Sequence, residues 1–178
     1  MKRQLYLPLA AACALLAMPI FGASSFSAAD WKADFAKHWA VSRELTMAVA
    51  DSMPAESYGF IPNTELKPVE MSFGELMAHI AQANASNFGR ITGENPPTRP
   101  EKVDKTSAMK YLNDSFDFCA KQLDSMTDEQ LDNVYGKEPR QMPGRDVLWS
   151  YFTHMAHHRG QAEVYLRLKN IKPPSYRF

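Results

Sequence analysis

Apolar residues recur at helical spacing in four stretches of the chain, each bounded by capping or breaking residues. Phe35, Trp39, Leu45 and Val49 predict a first helix over 31–51, with Asp30 as its N-cap. Met53-Pro54 stops it, and Pro54, Gly59, Pro62 and Pro68 make 54–70 an extended connection. Ser72 with Glu75 three positions on reads as a capping box for a second helix. The apolar stripe of that helix is Phe73, Leu76, Met77, Ile80, Ala83, Phe88 and Ile91, and Gly93 ends it. A stiff proline-rich linker covers 95–100. A third helix, from about 102–104 to about Met126, carries Met109, Leu112, Phe116, Cys119, Ala120 and Leu123. Thr127 to Leu131 reads as a cap and a short helical turn. Residues 132–144 hold two prolines and two glycines and read as a loop, with a short extended piece at 133–135. The last helix, from about Arg145 to Asn170, buries Val147, Leu148, Tyr151, Met155, Ala162, Tyr165 and Leu166; Pro173-Pro174 lie beyond it. The pattern predicts an all-α four-helix bundle with long loops before the second and last helices.

The start of the chain has a different pattern. Lys2 and Arg3 precede an uncharged stretch from Leu5 to about Phe21, and small residues lead to Ser27-Ala28-Ala29. This is the layout of a secretory signal peptide covering 1–29. It predicts a periplasmic or secreted protein whose bundle domain is 30–178, with no stable membrane anchor after cleavage. Lys2 and Arg3 are the only charged residues in the signal. The remainder therefore holds 18 basic and 20 acidic residues, a net of −2. That balance argues against a nucleic-acid partner. Cys13 falls in the signal, so Cys119 has no partner for an intrachain disulfide. It reads as a small core residue.

Candidate chemistry lies on the two most regular helices. His154 and His158 are four residues apart, about one helical turn, and leave the same side of the last helix. His79 borders the buried side of the second helix. If those helices face each other, three neutral imidazoles meet. Zinc, nickel and iron all accept imidazole nitrogen, and three protein ligands leave positions open for water or substrate. A water there becomes more acidic, and a thiol is held as thiolate. Spacing alone leaves another reading open: histidines at the polar rim of a core, bonded to backbone or carboxylates. A zincin motif is excluded, because Met155 stands where that motif has Glu.

The run His154-Met155-Ala156-His157-His158-Arg159-Gly160-Gln161, continuing to Ile171-Lys172-Pro173-Pro174, resembles the last helix of the DinB-like family. Met71 to Ala81 resembles that family's second helix, and the helix order and the long connection before the last helix also match. The resemblance implies a four-helix bundle holding a divalent transition metal on His79, His154 and His158. It also implies metal-dependent thiol transferases or isomerases as relatives. An exported chain departs from the cytosolic habit of those enzymes, so their thiol cofactor does not transfer directly.

The resulting expectation is an exported metal-dependent enzyme, a transferase or hydrolase, that activates water or a thiol for an unidentified small-molecule substrate. Two alternatives stay open. In one, a non-enzymatic protein uses the metal only to tie two helices. In the other, a metal-free helical module forms a homodimer. Around the site, His157 reads as a neighbouring or surface residue and His38 as solvated or bonded between helices. Arg159 is expected to pair with a carboxylate, Gln161 to bond across the bundle and Gly160 to let another helix approach. Glu75 either closes the capping box or orients His79, and Met155 fills core.

Overall fold

The computed structural model describes residues 28–62 and 71–177. The signal-peptide reading of 1–29 therefore lies almost wholly outside the described residues. Four long helices form: α1 (Ala28–Ser52), α2 (Phe73–Thr92), α3 (Lys105–Ser125) and, after a short α4 (Asp128–Asp132), α5 (Gly144–Leu168). Both α1 and α2 pack chiefly on α3 and α5. In the bundle, α1 thus lies diagonally opposite α2, and α3 opposite α5. The all-α four-helix architecture expected from the apolar period is present.

The caps follow the sequence closely, with three departures. Because α1 already includes Ala28, Asp30 lies in its first turn rather than at a cap. At α2 the Glu75 N–H donates to Ser72 Oγ at 3.2 Å, but the Glu75 carboxylate binds Arg99. Only half of the predicted capping box exists there. Reciprocal boxes do form where they were not predicted, between Asp104 and Ser107 on α3 and between Thr127 and Gln130 on α4. Gly93 closes α2 at φ +81°, a left-handed conformation that favours glycine.

The predicted loop after α4 is organised. Strand β1 (Val134–Tyr135) pairs antiparallel with β2 (Met142–Pro143), Tyr135 standing opposite Met142. The piece foreseen at 133–135 is therefore half of a small hairpin. At its base, Gly144 begins α5. A Cβ there would lie 2.5 Å from the Gln130 carbonyl oxygen, so α4 and α5 meet at backbone distance. Gly160 has open space around it, so it is not the close-approach residue that its position suggested.

The core is aromatic at its centre. Phe35 is completely buried and lies with its ring centroid 5.1–6.5 Å from those of Trp31, Trp39, Phe88, Trp149 and Phe152. Farther along, the Tyr58 hydroxyl donates to the Ala50 carbonyl at 2.7 Å, and the Tyr165 hydroxyl to that of Met71 at 3.0 Å. The second of these bonds ties α5 to the entry of α2. With Ser115 Oγ donating to the Ala81 carbonyl at 2.7 Å, it fixes the helix on which His79 sits.

Candidate metal centre

Rotation of α2 and α5 about their axes is set by what they bury. On α2, Met77, Ala78, Ile80 and Ala81 are fully buried, which leaves His79 at the half-buried rim of the same face. On α5, Met155 and Ala162 are fully buried and Arg159 nearly so. His154 and His158 each precede one of these positions and also come to the rim. The packing of α2 on α5 then brings the three rings together.

His79, His154 and His158 converge through their ring nitrogens. The Nε2 of His154 lies 3.3 Å from that of His79 and 3.0 Å from that of His158. Across the trio, ligand atoms fall within 4.8 Å of one another. For metal–nitrogen bonds of about 2.0–2.1 Å, a tetrahedral edge between two nitrogens is about 3.3 Å and a right-angled edge about 2.9 Å. The observed separations fit three ligands of one ion without selecting its geometry.

Protonation favours the same arrangement. His158 Nδ1–H donates to Gln161 Oε1 at 2.7 Å, which leaves the His158 Nε2 lone pair facing the other rings. Among the described residues His154 Nδ1 is buried with no hydrogen-bond partner, so it strands an N–H both in the imidazolium and in the neutral tautomer that offers Nε2 to an ion, and the charged form costs more. Burial first, then the neighbouring His158, His79 and His157, lowers the His154 pKa to about 4. Burial likewise lowers that of His79, helped by His158 and by Arg99. At neutral pH both rings are neutral. Three nitrogens this close cannot all be satisfied by one another's hydrogens, whereas a single cation accepts three lone pairs. The residues fit a metal ion: the three-His group can hold one.

Several surrounding residues behave differently from their sequence reading. Gln161 does not reach across the bundle. It accepts from His158 one turn before it and lies 3.3 Å from His157 Nε2 through its own Nε2. The signal for this was the spacing of three between His158 and Gln161. Replacing Gln161 with Leu removes the group that orients His158, and metal affinity should fall roughly 10–100-fold. A competition titration with a chromophoric chelator measures this, and unchanged affinity would remove Gln161 from the site.

Among the described residues Arg159 pairs with no carboxylate. Its Nη1 donates to Ser42 Oγ at 2.6 Å and to Thr46 Oγ1 at 3.2 Å, both on α1. Glu75 does not orient His79; it holds Arg99, whose charge acts on that ring. Met155 Sδ faces Asn84 and Ser42 in the interior, away from the three nitrogens. His157 is exposed, as expected. His38 stays on α1 beside Asp34, 3.6 Å away, and does not join the group. Cys119 is fully buried, and its thiol pKa is pushed far up by that burial. Tyr151 was read only as a core residue. It lies three positions before His154, with ring centroids 5.5 Å apart.

Comparison with known proteins gives a family and a fold. A family model described as the DinB family matches residues 26–177. A crystal structure of a DinB-like protein from Bacillus subtilis superposes with a TM-score of 0.63 at 23% identity, covering 80% of this chain and 96% of that one. A DinB-like protein from Bacillus cereus gives 0.67 at 21%, covering 80% and 95%. A conserved protein from Enterococcus faecalis gives 0.63 at 18%, covering 77% and 95%. At these identities the structural likeness shows the fold alone. No curated protein matches.

Proposed function

The chain belongs to the DinB family, and from that premise we propose that it is an exported metal-dependent enzyme with His79, His154 and His158 as the metal ligands. The convergence of three neutral ring nitrogens from two helices carries this reading. When bound, a divalent metal at such a site supplies Lewis acidity and lowers the pKa of a bound water or thiol. The chain's own residues hold the site ready. Gln161 fixes the tautomer of His158, and burial keeps His79 and His154 unprotonated. The three rings are half-buried rather than sealed in the core. The nucleophile is water or a low-molecular-weight thiol, and the reaction class a transfer or hydrolysis. Zinc, nickel and iron all suit an imidazole donor set.

Export rests on the sequence of residues 1–29. Among the described residues no helix is long and apolar enough to cross a membrane. A purely structural metal is the weaker reading, because three protein ligands leave the coordination shell incomplete.

Elemental analysis of tag-free protein should find about one transition metal per chain. After replacement by cobalt(II), titration with 2-mercaptoethanol should change the visible absorption spectrum, reporting an exchangeable position. A protein without stoichiometric metal sinks the reading. A cobalt spectrum indifferent to added ligands leaves only the structural role. The intact mass of exported protein, expected without residues 1–29, checks the localisation.

A further inference from the structure

A cavity of about 580 Å³ is walled by the end of α2, the loop of the β1–β2 hairpin and the early turns of α5. Arg90, Lys137 and Arg140 line it, against a single carboxylate, Glu138. None of the three cations makes an ion pair with a described residue. Elsewhere on this protein half-buried arginines do: Arg43 is bound to Asp117 and Arg145 to Asp132. Three cations against one carboxylate on a single concavity raise the local potential and favour an anion.

The backbone under the cations is also held in place. The Arg140 N–H donates to the Lys137 carbonyl at 2.8 Å, closing the loop that carries both side chains. Gly136 turns at φ +103°, where a Cβ would lie 2.8 Å from the Arg140 carbonyl oxygen. The Tyr135 hydroxyl donates to the Ile91 carbonyl, pinning the hairpin next to Arg90. A preordered backbone leaves only side-chain freedom to be lost on binding, and guanidinium forks match carboxylate and phosphate oxygens.

Tyr151 connects this cavity to the candidate metal centre. It lines the cavity, and its ring also packs against that of His154. We propose that the cavity receives the anionic end, a carboxylate or phosphate group, of the small molecule whose reactive end meets the three histidines. This deepens the metal-enzyme reading and rests on it for the second half of the statement. The anion site itself needs no metal.

The test is calorimetric titration of the full mature chain at low ionic strength, with inorganic phosphate and separately with succinate. It is run on metal-loaded and on chelator-treated protein. Saturable one-to-one binding of at least one anion is expected in both forms, and which anion binds identifies the group. The paired change Arg90→Gln with Arg140→Gln should weaken it at least about tenfold. Lys121→Gln, an exposed cation on α3, should leave it unchanged. All these residues are exposed, so the variants should fold, and circular dichroism checks that they do. Absence of saturable binding overturns the proposal. So does binding that disappears with the metal yet ignores the paired change, because the anion would then sit on the ion. Binding that survives in a protein shown to hold no metal keeps the cavity and overturns the metal reading alone.

Discussion

Replacing His154 with Ala should leave the bundle folded and nearly strip it of metal. His154 supplies the central nitrogen of the three, within 3.3 Å of both others. Losing an orienting partner alone costs 10–100-fold in affinity, so losing this ligand should cost more than about 100-fold. Metal content after dialysis should drop to a small fraction of that in the parent chain. The half-buried ring leaves no closed cavity, so thermal unfolding of metal-free protein should change little near neutral pH. Acid gives a second, independent signature. The folded pKa of His154, about 4, lies below its ordinary 6.5. The unfolded chain then binds the proton more readily between those values. In the metal-free protein this part of the stability is intact above about pH 6.5 and is lost as pH falls towards 4. In the alanine variant that part of the decline should be missing. A variant that keeps its metal, or melts identically to the parent at every pH, contradicts the assignment.

Replacing Phe35 with Ala should be the most damaging single change to stability. The ring is fully buried and is flanked by five aromatic side chains from α1, α2 and α5. Truncations of this kind cost about 3–5 kcal/mol, which for a chain of this size lowers the Tm by about 10–15 °C. Denaturant unfolding of chelated protein isolates this effect from metal binding. A loss below about 1 kcal/mol would show that the aromatic cluster does not govern stability.

The limits of sequence reading can be traced to particular residues. Phe35, Trp39, Leu76, Ile80 and Leu166 repeat with the helical period, and burial of one face is what that period records, so the four long helices were legible. The β2 strand was not. Met142 and Pro143 carry no strand pattern of their own and gain their conformation by pairing with Val134 and Tyr135. His154 and His158 were legible as a pair from spacing. Adding His79 required knowing that α2 faces α5, which only the family resemblance implied. Arg159 shows the general difficulty. Its hydroxyl partners Ser42 and Thr46 lie more than 100 positions earlier, and no local rule anticipates a guanidinium bonded to two hydroxyls on another helix. Gln161 was in reach of the spacing rule for helices and was read across the bundle instead. Gly160 was assigned a packing role from residue type alone, but nothing lies within 4 Å of where its Cβ would be.

The distance in sequence between His79 and His154, 75 positions, fixes when the metal can enter. The first ring belongs to the second helix and the other two to the last, so no fragment ending before α5 has more than one of the three ligands. The site exists only after the final helix docks, and the unfolded chain offers scattered imidazoles of little affinity. On the proposed metal reading, loading follows the docking of α5, and the metal supply of the compartment in which the chain finishes folding takes part in choosing the element bound.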